Sequence, residues 1–103
     1  MQILPLIQVA SQEFTFRDGD TRWTVRLKDC GDVMAATILR DEIEVVSGVR
    51  ALPGEFLIPF AYLETGNFMF VTEGDELPSG PMLGMGQELY YFDAAEMVEL
   101  RNG

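Results

Sequence analysis

Acid–base chemistry in this chain would have to come from carboxylates, because it has 17 Asp and Glu residues and no His. The best-placed pair is Asp75-Glu76, in the loop at residues 74–78. Adjacent carboxylates there could serve as general acid and base, or as oxygen ligands for Ca²⁺. Each role needs more than adjacency. Catalysis requires a second carboxylate opposite the first, in surroundings that move its pKa, and a calcium loop requires oxygen ligands at alternate positions, which this loop lacks. The absence of His excludes a Ser-His-Asp triad and any His-bearing zinc site within the chain, and the single Cys30 cannot build a thiolate cluster. Gly84 and Gly86 do not follow a strand and open a helix, so they make no dinucleotide fingerprint. The expectation is a protein without catalytic residues, metal or cofactor, one that works through its surfaces.

Those surfaces rest on β-structure. In residues 21–28, Trp23, Val25 and Leu27 fall on one face while Arg22, Thr24, Arg26 and Lys28 fall on the other, the period of two that marks a half-buried strand. Just before them Phe14 and Phe16 alternate with Glu13, Thr15 and Arg17, and Asp18-Gly19-Asp20 supplies the backbone tolerance of a tight hairpin. Cys30-Gly31-Asp32 and Arg40-Asp41-Glu42 read as further turns, each ahead of a strand, at residues 33–39 and 43–46. Ala35 and Ala36 favour a helix in the first of these, but Val33, Thr37 and Ile38 are β-branched and the run is short. Residues 47–66 carry Gly48, Pro53, Gly54, Pro59 and Gly66 and read as a partly extended loop, since Pro confines a strand to an edge. After Asp93, a short helical segment is expected with Asp93 as N-cap and Glu96 at the third helical position.

The predicted fold is all-β, with about six to eight strands, arranged as a compact small barrel or sandwich of antiparallel hairpins. Its expected core contains Phe14, Phe16, Trp23, Val25, Leu27, Ile38, Val45, Phe68, Phe70, Leu89 and Tyr91. With 103 residues, 48% of them hydrophobic, residues 1–103 read as a single domain able to bury a core without staples. Residues 1–11 form an extended N-terminal arm and 93–103 a C-terminal tail. The arm is apolar but lacks a basic flank, is broken by Pro5 and is too short to span a bilayer, so neither a signal peptide nor a membrane span is expected. One unpaired Cys fits assembly in a reducing cytoplasm.

Net charge is −10 and the pI about 4.1, yet all the Lys and Arg residues except Arg101 lie in the first half. The anionic second half argues against nucleic-acid binding, which needs clustered cations. Within that half, residues 67–72 and 88–92 are apolar on both faces, because Phe68 and Phe70 oppose Met69 and Val71 while Leu89 and Tyr91 oppose Tyr90 and Phe92. A sheet with one wet face does not need that. Either a loop of the same chain covers the second face or another subunit does, which makes Met69, Val71, Tyr90 and Phe92 the candidate interface.

The order of Leu4-Pro5-Leu6, Gln12-Glu13-Phe14, the strand from Trp23 to Leu27, Ser47-Gly48-Val49-Arg50, Gly66-Asn67-Phe68, Gly74-Asp75-Glu76-Leu77-Pro78, Leu83-Gly84 and Leu89-Tyr90-Tyr91 resembles the small baseplate plug proteins of contractile-tailed bacteriophages. The resemblance covers nearly the whole chain and lies in order, spacing and total length. It implies a non-enzymatic virion component of the tail baseplate, assembled in the host cytoplasm, that plugs or stabilises the central hub or tube end. The implied partners are baseplate hub, tail tube or tape-measure proteins, together with further copies of the chain, three or six by the rotational symmetry of a tail hub. Two other classes stand beside it. A small acidic inhibitor mimicking DNA would present carboxylates in place of phosphates, but a mean hydropathy of +0.09 and aromatic strands are not what such a mimic requires. The other is a small β-barrel enzyme using Asp75 and Glu76.

Overall fold

The alternation in residues 11–28 folds as the expected hairpin. In the computed structural model, which describes residues 1–31, 33–58 and 66–102, β2 (Ser11–Asp18) pairs antiparallel with β3 (Thr21–Asp29), setting Phe14 opposite Val25 and Phe16 opposite Trp23. Gly19, at φ +60°, opens the two-residue turn, the position where such hairpins demand glycine. The next two segments are also strands, β4 (Met34–Arg40) and β5 (Ile43–Arg50), giving a four-stranded meander in the order β2-β3-β4-β5. The short Ala-rich run is therefore a strand, because Met34, Ala36 and Ile38 share its buried face. β5 continues through Ser47, Gly48, Val49 and Arg50, which the sequence reading gave to a loop. It does so across an irregularity in its register, where the Gly48 amide donates to Thr37 Oγ1 at 2.9 Å.

Asp41 and Glu42 join β4 to β5 with φ of 51° and 70°, a left-handed pair normally reserved for Asn and Gly. Asp41 fits this role, since its carboxylate accepts from the Arg22 amide at 2.9 Å. Glu42 has only an exposed ion pair with Arg22, which contributes little. Glu42→Gly is therefore expected to stabilise the fold by about 0.5–1 kcal/mol, seen as a higher urea midpoint with unchanged slope.

The second sheet has the order β1-β7-β6, with β1 (Gln2–Leu4) and β6 (Gly66–Thr72) on either side of β7 (Gln87–Asp93). The stretch read as an extended arm thus sets Ile3 opposite Tyr90 and Leu4 opposite Leu89. The two sheets form a sandwich rather than a barrel. Phe16 and Trp23 meet Phe68 and Tyr91 between them, edge to face or tilted, with centroids 5.0–5.9 Å apart, the geometry that aromatic quadrupoles prefer. Trp23 Nε1 donates to the Tyr91 hydroxyl at 3.0 Å, and that hydroxyl donates to Asp18 Oδ2 at 2.5 Å. Burial, reinforced by the bond to Asp18, holds the Tyr91 phenol protonated well above its ordinary range.

Of the expected core, Trp23, Val25, Leu27, Ile38, Phe68, Phe70, Leu89 and Tyr91 are buried, while Phe14, Phe16 and Val45 are half-buried at its margin. Among the described residues Leu4, Met34, Ala36, Val46, Ala51, Leu57, Ile58 and Leu83 complete it. The described part of the expected loop runs beside β6: Gly54 donates to the Phe70 carbonyl and Leu57 to that of Phe68, each at 2.9 Å. Buried Asn67 extends this contact, its amide bonding both the N–H and the C=O of Ile58. The remainder of that loop, 59–65 with Pro59, lies outside the described residues, as does Asp32 of the expected turn. The C-terminal helix α1 (Ala94–Asn102) opens with the expected capping box: the Glu96 amide donates to Asp93 Oδ1 at 2.8 Å and the Asp93 amide to Glu96 Oε1 at 3.2 Å.

Candidate interaction surface

The carboxylate pair singled out by sequence lies in a turn that follows β6. Asp75 ends a short 3-10 turn, Glu73–Asp75, and Glu76 follows it in extended backbone with its side chain exposed. Among the described residues no three His, Cys, Asp or Glu side chains gather as a metal site would require. None of the described helices is long and apolar enough to cross a membrane.

The four candidate interface residues share one surface. Strand alternation sends Phe68, Phe70, Leu89 and Tyr91 inward, so Met69, Val71, Tyr90 and Phe92 project from the opposite side of the three-stranded sheet, with Met69 directly opposite Tyr90 in the register. Ile3 joins them from β1, also opposite Tyr90 and 52% exposed. Sequence reasoning missed Ile3, although its alternation with buried Leu4 was the available signal. Part of this face is covered from within the chain. The ring of Phe56 stands edge-on to Phe92 at 5.5 Å, and α1 packs on β6 and β7, burying Met97 outside the inter-sheet cluster. Phe92, Met69 and Tyr90 are half-buried; Val71 remains 40% exposed beside Glu88.

A second apolar group lies at the end of the molecule formed by residues 77–86. Gln8 donates to the Pro81 carbonyl at 2.9 Å, bringing exposed Ile7 towards exposed Met82 and Met85. This loop is fixed from two sides. Buried Gln87 accepts from the Ser79 amide and donates to the Leu77 carbonyl. The Asp29 carboxylate accepts from the amides of Gly80 at 2.8 Å and Gly31 at 2.9 Å, and these bonds, Gly80 first, hold its pKa below the ordinary carboxylate value. A depressed folded pKa stabilises above the unfolded value, near 3.9, and the contribution disappears as pH falls through the folded one. The melting temperature of Asp29→Asn should therefore lie below that of the parent near neutrality, with the gap closing below about pH 4.

The outer face of the four-stranded sheet is polar. Arg17, Arg22, Arg26, Lys28 and Arg50 project from it among Glu13, Glu44 and a run of threonines, so the cations cluster on one face of an acidic molecule. Small side chains at Ala35, Thr37 and Gly48 leave a groove of about 560 Å³ there, bounded by Glu13, Arg26 and Lys28. Glu13 pairs with Arg26 across it, with Glu44 nearby.

The molecule thus offers an apolar face on one sheet, a charged face on the other and an apolar end between them. Comparison with curated proteins found no match. Comparison with protein families matches residues 1–94 to the family described as cyanophage baseplate Pam3 plug gp18. That match takes in every strand of both sheets, and on it this chain belongs to the baseplate plug family of phage tails.

Proposed function

We propose that the chain is a non-enzymatic plug that closes or stabilises the central hub or tube end of a phage baseplate through protein–protein contacts. The observation that supports this reading is the outer face of the β1-β7-β6 sheet, where Ile3, Met69, Val71, Tyr90 and Phe92 collect in a chain whose family is a baseplate plug. Aromatic and Met side chains flanked by charge are the usual material of a protein interface. The partners that fit are hub, tail tube or tape-measure proteins, with three or six copies arranged about the tail axis. The acidic remainder of the surface would discourage DNA from adhering during ejection.

Single replacements Met69→Lys and Tyr90→Lys test this. Both side chains are half-buried, so each variant is expected to keep its fold, with a modestly lower melting temperature, and to lose incorporation into baseplates assembled in infected cells. Normal incorporation of both variants, or loss of folding in both, places the interface elsewhere.

A further inference from the structure

The free edge of β2 takes no part in the proposed plug surface. Asp18 faces Thr21 across the two-residue turn, and the Asp29 amide donates to the Ala10 carbonyl at 2.7 Å. Arg22, of the opposite parity, exchanges its backbone bonds with Asp41 instead. The even-numbered residues of β2 therefore bond to β3. The N–H and C=O groups of Ser11, Glu13, Thr15 and Arg17 point out of the sheet, and among the described residues they meet no partner.

An unpaired edge is a template for another strand, and proteins normally blunt it with Pro, a bulge or a short length. β2 is eight residues long, has no Pro and runs in unbroken register with β3. It is also complementary to its own reverse. With Thr15 on a two-fold axis, Glu13 lies opposite Arg17 of a second copy, Arg17 opposite Glu13, and Phe14 opposite Phe16. The residues that meet in charged pairs are the same ones whose backbone groups are free. Sliding the register by two residues sets Glu13 against Thr15 or Gly19, and sliding by four sets like charges face to face, which destabilises a strand pair. Phe14 and Phe16, half-buried at the core margin, would each gain an aromatic neighbour across the junction.

We propose that two copies of this chain pair antiparallel through β2, centred on Thr15, joining their four-stranded sheets into one. The contact is isologous, so it closes after two copies and leaves this edge no longer available for open-ended association. It uses neither Met69 nor Tyr90, and it stands or fails independently of the plug assignment.

Sedimentation equilibrium of the purified chain should show a reversible monomer–dimer equilibrium. Arg17→Glu sets Glu against Glu twice across the axis and should raise the dimer Kd about tenfold. Combining it with Glu13→Arg restores opposite charges and should bring the Kd back towards the parent value. Thr15→Pro, which removes only an edge donor, should also weaken the dimer. Amide exchange separates the edge from the hairpin: Glu13, Thr15 and Arg17 should slow as concentration rises, while Phe14 and Phe16 stay constant. A chain that is monomeric up to millimolar concentration overturns the proposal, as does a charge swap that leaves the Arg17→Glu defect in place. So does exchange at Thr15 that is independent of concentration in a folded protein.

Discussion

Trp23→Ala is expected to lower the unfolding free energy by about 3–5 kcal/mol, read from the denaturant midpoint at constant slope. The indole is fully buried, touches Phe68 and Tyr91 across the sandwich, and donates to the Tyr91 hydroxyl. Alanine would leave a cavity between the sheets and remove a hydrogen-bond donor from the Tyr91 hydroxyl. Two controls divide the loss. Tyr91→Phe removes the hydroxyl that links Trp23 to Asp18 and should cost about 1–2 kcal/mol. In the double variant the two losses should fall short of additivity, because both report on one hydrogen-bonded pair. A loss under about 0.5 kcal/mol for Trp23→Ala, the range of surface substitutions, would contradict the packing described.

Gly66→Ala carries the second-largest effect. Gly66 has a φ of +133°, and a Cβ there would sit 2.9 Å from the Tyr91 hydroxyl oxygen and 3.1 Å from a ring carbon of Trp23. Backbone strain and overpacking each cost about 1–3 kcal/mol, so the substitution should destabilise by about 2–5 kcal/mol. Gly54→Ala provides the comparison. Its φ is +74° but a Cβ there meets nothing within 4 Å, so it reports strain without the clash. Equal losses at the two sites would show that Tyr91 and Trp23 yield to the added methyl group.

The parts of this fold that were legible in the sequence are those fixed by local pattern. Alternation identified the β2–β3 hairpin because one face of each strand is wet, and Asp93 with Glu96 announced α1 through a cap that needs only four residues. The illegible parts depend on partners distant in sequence. β1 has a single buried side chain, Leu4, and too few residues to show a period. Asn67 is a polar residue whose burial makes sense only beside Ile58. Met34 and Ala36 belong to the core because β4 is covered by the other sheet, not because their types demand burial. For the candidate surface, apolar residues on both faces of 67–72 and 88–92 identified Met69, Val71, Tyr90 and Phe92, but not that Phe56 and α1 shelter part of that face. The attention given to Asp75 and Glu76 came from adjacency alone, which says nothing of how the turn Glu73–Asp75 orients its acids.

The pairing of Leu4 with Leu89 also sets an order of events during folding. The meander from Ser11 to Arg50 is built from neighbouring hairpins and closes short loops, whereas β1 has no strand to join until β7 has left the ribosome. Its loop-closure entropy spans most of the chain, and long-range pairings of this kind slow folding more than they weaken the final state. Leu4, synthesised before the meander, is therefore among the last to be covered, and the three-stranded sheet takes shape only after translation has delivered its central strand.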